Sequence, residues 1–432
     1  MEFARYRVTI SLIIVSDLIV TGCSEILTLR GPTPRRGRAM RDLEIIRDGA
    51  ILVQGDRIAA VGTRRRIESL RQARRAEKLD LGGRVLLPGF VDSHTHLVFS
   101  TCRADEYDQR IAGATYEQIA RNGGGIRCTV EALRKATPEA LKNRVSAHLR
   151  QFAAHGTTTI EAKSGYGLDW RSEAKILTIL YELHQDQPID LVRTFLGAHV
   201  VPREFRRRPK DYVELLVRRW IPSVATAGLA EFCDVFCDRG AFTLAQARRI
   251  LTTARACGLV PRIHAGQFDR TGAARLAIEL QAASADHLDQ INAADVHALA
   301  LSNVVCTLLP GCSFHLGLPQ RAPARELLDA GAIVALATDF NPGTSPTVSM
   351  PMILSLACNQ LRMTPAEAIS ATTINPAYSL RVQDRAGSIE VGKYADFAAF
   401  DVSDYREIPY YFGVNLCSMT MKRGTVIYSQ RW

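Results

Sequence analysis

Apolar positions along the chain change their spacing twice, which divides it into three stretches. From residue 17 to 87, short apolar runs are broken by turns, and 49–62 alternates closely enough to predict a hairpin about Gly55-Asp56. β-Branched residues around Gly22 predict more strand over 17–22 and 26–29. The far end, at 387–400 and 426–428, reads the same way. The two ends are therefore expected to pair into one small composite β-sandwich domain, residues 1–85 with 388–432.

Between them the pattern alternates. Buried-strand runs are predicted at 85–91, 157–162, 191–196, 259–263, 283–285, 304–308 and 333–337, and helical spacing at 139–155, 171–185, 244–258 and 365–373. Strand–helix repetition of this kind predicts a parallel sheet covered by helices, here an α/β fold with a (β/α)8 TIM-like barrel over 86–387. The runs number seven where a barrel needs eight. The missing strand is expected between 129 and 157, or to be very short. No internal repeat or low-complexity segment interrupts the cadence.

Composition narrows the function class. Hydrophobic residues make up 47% and charged residues 23%, as in ordinary globular chains, so no disordered or fibrous class applies. A net charge of +10 favours an anionic ligand over a cationic one. The densest basic runs, 64–66 and 206–210, lack interleaved aromatics or a binding motif, so no nucleic-acid partner is expected. Ten cysteines form no repeating framework, and Cys233 with Cys237 has no second pair at zinc-ribbon spacing; reduced thiols and a cytoplasmic location are expected. An apolar run at 8–20 leads into Val20-Thr-Gly-Cys23, which resembles a lipoprotein cleavage site, but Asp17 interrupts it and strand is the expected reading. No stretch reaches the roughly 20 apolar residues of a membrane helix, so no membrane partner is expected.

The polar residues carry the chemistry. Almost every candidate strand ends in His, Asp, Glu or Tyr, and in a (β/α)8 barrel the carboxyl ends of all strands meet at one mouth. His94 and His96, two apart in an extended chain, face the same side. His264 and Asp339 each close a later apolar run. Three imidazoles and a carboxylate suit one divalent metal ion, Zn2+ or Fe2+.

The runs His94-Thr-His-Leu-Val-Phe, Glu161-Ala-Lys-Ser-Gly-Tyr-Gly-Leu, Thr194-Phe-Leu-Gly-Ala-His199, Ser284-Ala-Asp-His287-Leu, Leu309-Pro-Gly and Ala337-Thr-Asp339-Phe-Asn-Pro-Gly343 resemble the amidohydrolase superfamily and, within it, the imidazolonepropionase family. That resemblance implies a single ion held by His94, His96, His264 and Asp339. It further implies hydrolytic opening of 4-imidazolone-5-propanoate to N-formimino-L-glutamate in histidine degradation, by water that the metal acidifies. Asp339 is the natural proton carrier and His287 the partner of the attacking oxygen or oxyanion. Arg103, on the loop after the first strand, is placed to clamp the substrate carboxylate. Tyr166, His199 and Gln267 correspond to substrate contacts, and Asn341, Gly343 and Thr344 form the turn beyond Asp339. Lys163 falls in the one-metal pattern rather than that of a carboxylated lysine bridging two ions. The family is similar in forming homodimers.

Two positions depart from the family's pattern. Gly266 stands where an acidic residue is usual, and Thr344 where Ser is common. The first raises the prospect of a lost general base and a changed substrate. The rival enzymatic reading is another one-metal amidohydrolase, such as a deaminase of a heterocyclic base, against which Arg103 and Tyr166 speak. A catalytically dead barrel serving as a scaffold would have lost ligands that this chain keeps.

Overall fold

A computed structural model describes residues 17–114, 118 and 124–430. The apolar run before Asp17 lies outside the described residues. Val20 to Cys23 lie within the first strand, β1 (Leu18–Leu27), where Gly22 at φ +70° marks a break in register and Cys23 is buried.

β1 pairs antiparallel with β2 (Ile45–Gln54), which turns at Gly55 into β3 (Arg57–Thr63) as the alternation predicts. It also runs parallel to β4 (Glu77–Pro88), and the carboxyl end of the chain completes the same mixed sheet. Barrel strand β5 (Phe90–Asp92) follows β4 across Gly89, whose added Cβ would fall 2.2 Å from Thr158, so only glycine permits the approach.

The barrel continues through β6 (Thr157–Lys163), β7 (Asp190–Ala198), β8 (Phe232–Cys237), β9 (Val260–Ala265), β10 (Ser284–His287), β11 (Val305–Leu308) and β12 (Ile333–Leu336), every neighbour parallel. β12 and β5 meet beyond their ends, where Thr95 bridges Phe340, the Asp339 N–H donates to the His94 carbonyl (3.0 Å) and the His96 N–H to that of Phe340 (2.9 Å). The closure thus sets two histidines beside an aspartate before any side chain is considered.

The eighth strand is β8, not a segment between 129 and 157. Residues Ile126–Lys135 and Pro138–Ala154 are helices, the second started by the Thr137 side chain accepting from the Ala140 N–H with Pro138 in the first turn. Phe232-Cys-Asp-Val-Phe-Cys237 escapes a hydropathy reading because Asp234 splits it, and that aspartate is fully buried. The helices expected at 171–185, 244–258 and 365–373 form at Trp170–Asp186, Leu244–Ala256 and Pro365–Thr372, each opened by an Asp or Thr cap.

Strands β13 (Phe397–Phe400), β14 (Cys417–Lys422) and β15 (Thr425–Ser429) finish the mixed sheet in the order β15-β14-β13-β4-β1-β2-β3. Its inner residues pack on the barrel: Phe400 meets Phe90 at a ring separation of 5.8 Å. Thr420 Oγ1 donates to the Ala153 carbonyl at 2.6 Å, and buried Lys422 pairs with Asp190 (2.8 Å) and Asp396 (2.6 Å). No helix among the described residues is long and apolar enough to cross a membrane.

Candidate active site

His94 and His96 follow β5, His264 lies near the end of β9, and Asp339 sits three residues beyond β12; all four side chains are buried. Ring nitrogens of the three histidines lie within 4.8 Å of one another. Asp339 Oδ1 is 3.6 Å from His94 Nε2 and 3.5 Å from His96 Nε2, and His264 Nε2 is 3.4 Å from His96 Nε2.

The far sides of two rings fix their tautomers. His94 Nδ1 contacts Asp286 Oδ2 at 2.7 Å and His264 Nδ1 contacts Asp234 Oδ2 at 3.0 Å; a carboxylate only accepts, so both protons sit on Nδ1 and both Nε2 lone pairs face inward. Burial, and then the Lys163 charge, push the His94 imidazole far below its ordinary pKa; burial and His199 do the same to His96. His94 Nε2 is buried with no hydrogen-bond partner. Inward lone pairs beside a carboxylate repel one another unless a cation lies between them, so the donor set fits a divalent metal ion.

Lys163 stays an ammonium in this arrangement. It is fully buried between Glu161 Oε1 (2.8 Å) and Asp234 Oδ2 (2.9 Å), so its charge is matched by the carboxylate that orients His264. Arg262, also fully buried, donates to the Ser93 carbonyl (2.8 Å) and lies 3.5 Å from Asp286. Two buried cations thus hold the two carboxylates that aim the histidines.

In front of the metal position lies a cavity of about 80 Å³, lined by His96, Arg103, Tyr166, His199, His264, Gln267, His287, Asp339, Asn341 and Thr344. Every expected substrate residue therefore reaches it except Gly343, which lies beneath Arg103: a Cβ there would meet Arg103 Nη1 at 2.4 Å. Arg103 Nε donates to Thr129 Oγ1 at 2.9 Å. His199 stacks on His96 with rings 5.0 Å apart, and its Nδ1 donates to the Gly165 carbonyl at 3.0 Å, which leaves Nε2 as an acceptor. Asn341 Oδ1 takes the N–H groups of Gly343 (2.8 Å) and Thr344 (2.7 Å), closing the turn. His287 and Asp339 both adopt left-handed backbone, φ +76° and +52°, which costs a non-glycine residue strain.

Residues 85–427 match the amidohydrolase family model. Curated relatives called imidazolonepropionase include those of Solibacter usitatus (strain Ellin6076), 48% identical over 96% of this chain and 99% of the relative, and Geobacillus sp. (strain WCH70), 45% identical over 95% and 97%. The chain belongs to the imidazolonepropionase family. Among solved structures, an adenosine deaminase from Xanthomonas campestris with bound zinc shares the fold, with TM-score 0.70 and 18% identity over 96% of this chain and 94% of that one.

The Gly266 departure within this family reads differently once the backbone is seen. Gly266 has φ +66°, and a Cβ there would lie 3.8 Å from backbone of Asp269 and Gln290, away from the metal position. An acidic side chain at 266 would start beside the backbone of Asp269 and Gln290. The neighbouring Gln267 does line the cavity, and its N–H donates to Asp238 Oδ2 at 2.8 Å, as does that of Phe268 at 3.0 Å. Asp234, Asp286, Asp238 and Glu173 escaped the sequence reading. Glu173 is buried and accepts from the N–H groups of Gly165 (3.0 Å), Gly167 (2.8 Å) and Leu168 (2.8 Å), clamping the loop that presents Tyr166. The available signal was a carboxylate inside an apolar strand or first helical turn, which must find a partner when buried.

Proposed function

We propose that this chain hydrolyses 4-imidazolone-5-propanoate to N-formimino-L-glutamate. One observation carries the reading: a small cavity is lined by His96, His264, His287 and Asp339, with His94 clustered behind the first two, and by Arg103, a proton-moving group and an anion-binding one. His94, His96, His264 and Asp339 would hold the metal, and either Zn2+ or Fe2+ suits those donors. Bound there, the ion acidifies water and polarises the ring carbonyl.

The protein's own groups divide the remaining work. Arg103 pairs with the propanoate carboxylate, and Tyr166 and Gln267 orient the ring. Asp339 takes a proton from the attacking water and passes it to the ring nitrogen as the C–N bond breaks, leaving a new carboxylate and a free formimino group. Burial raises its carboxyl to about 7 in the metal-free site, and a cation bound there would favour the ionised form that accepts the proton. His287 donates to the oxygen on which negative charge develops. The homodimer implied by the family draws support from the exposed run Tyr410, Tyr411, Phe412 and Val414, an apolar surface of the kind that marks association sites.

The test is ultraviolet absorbance of freshly generated imidazolonepropionate with metal-loaded protein. Loss of the ring chromophore is expected, and Asp339→Asn is expected to abolish it. Persistence of the chromophore with metal bound would overturn the reading and point to deamination of another heterocycle.

A further inference from the structure

The proposed ring opening leaves Cys312 without a task. It sits in the first turn of the helix Pro310–Leu316, 2% exposed, and its sulfur accepts a hydrogen bond from Gln267 Nε2 at 3.2 Å. The ligand atoms of Cys312, His287 and Asp339 lie within 4.8 Å of one another, and all three residues are buried. His287 Nδ1 is buried without a hydrogen-bond partner; the nearest carboxylate, Asp289 Oδ2, is 4.0 Å away. Asp339 stands between the two clusters: its Oδ1 faces His94 and His96, and its carboxylate also takes a hydrogen bond from the Cys312 thiol, which an ion on that sulfur would replace.

We propose that His287, Cys312 and Asp339 form a second, inhibitory metal site, filled by a thiophilic divalent ion such as Zn2+ after the histidine centre is loaded. A thiolate, an imidazole and a carboxylate make a zinc-type donor set and a poor one for Mg2+ or Ca2+. A carboxylate shared between two ions is common where they stand about 3.5–4 Å apart. Forming the sulfur–metal bond releases the Cys312 thiol proton to solvent, and the Gln267 amide N–H remains on the sulfur to stabilise its negative charge. The first centre fills first because it offers three imidazoles, two of them oriented by buried carboxylates. Occupation of the second site blocks turnover in two ways. It ties up Asp339 and His287, and it takes space in a cavity of about 80 Å³. That inhibitory clause rests on the roles proposed above; the binding clause does not.

The experiment is a Co2+ titration of metal-free protein followed by absorption spectroscopy, with bound metal counted by equilibrium dialysis. The first equivalent is expected to give visible bands alone. The second should add a sulfur-to-cobalt charge-transfer band in the near ultraviolet and lower turnover by on the order of 100-fold, the share typical of a positioned acid–base group. Cys312→Ser and Cys312→Ala should keep the first equivalent and lose both the second and its band. Saturation at one equivalent, a sulfur band with the first equivalent, or a band surviving in both variants would each overturn the proposal. Wild-type stoichiometry decides alone should the variants misfold. If no equivalent binds, the metal reading of the main site falls too, whereas one equivalent without the sulfur band sinks only the second site.

Discussion

Asp286 touches no expected substrate residue, yet it determines which nitrogen of His94 carries a proton. With Asn at 286, one oxygen still faces His94 Nδ1 but the charge that strengthens the ligand is gone. Partners of this kind typically contribute 10–100-fold to metal affinity. Asp286→Asn is therefore expected to weaken metal binding by about that factor, read by competition against a chelator. Unchanged affinity would mean that His94 is oriented by packing alone. The variant should also unfold more readily, because Arg262, fully buried, loses the carboxylate 3.5 Å away. At this scale the histidine cluster was legible because His-x-His and residues ending apolar runs have a spacing signal. Asp286 and Asp234 have none, since each is opposed by cations from other strands.

Helices show how short-range chemistry can be read and long-range pairing cannot. Thr137, Asp169, Thr243 and Thr364 each cap a helix that periodicity places within two residues of its observed start. β8 was missed because its buried Asp234 reads as a break until Lys163 and His264 are known to face it. Glu367, in the first turn of the helix Pro365–Thr372, shows the same cross-element dependence. It completes the Thr364 capping box and also accepts from Arg325 (3.0 Å) and from Arg41 (3.0 Å), which precedes β2. Burial alone would raise its pKa, but Arg325, the Thr364 N–H and Arg41 outweigh it and hold the carboxyl at about 2 instead of 4.5. A depressed folded-state pKa means that the unfolded chain binds more protons between these values. The stabilisation is thus complete above pH 4.5 and lost as the pH falls through about 2. Glu367→Gln should cost on the order of 2 kcal/mol near neutrality. In urea melts the gap to wild type should close between pH 4.5 and 2. A gap independent of pH would assign the loss to the cap geometry instead.

The net charge of +10 gains a location in the folded molecule. The small cavity shares Ile126, Val200, Phe236 and Phe268 with a vestibule of about 920 Å³ that also carries Arg127, Arg134, Arg203, Arg206 and Arg239. Arg134 is paired with Asp169 and Glu204, and Arg239 with Asp269. Arg127, Arg203 and Arg206 are exposed and have no carboxylate partner among the described residues. Unpaired cations around a low-dielectric funnel raise the local concentration of an anionic substrate, and salt screens that effect over a Debye length of about 10 Å at 0.1 M. Because the field acts before the chemistry, it should enter kcat/KM and not kcat. Replacing Arg127, Arg203 and Arg206 together by Gln is expected to lower kcat/KM about tenfold at low ionic strength, near the small end of steering effects. The same replacement should flatten its fall with added salt. A substrate analogue whose carboxylate is amidated should show no salt slope with either protein. A slope that survives the triple replacement would place the attraction at Arg103 inside the cavity, where screening reaches least.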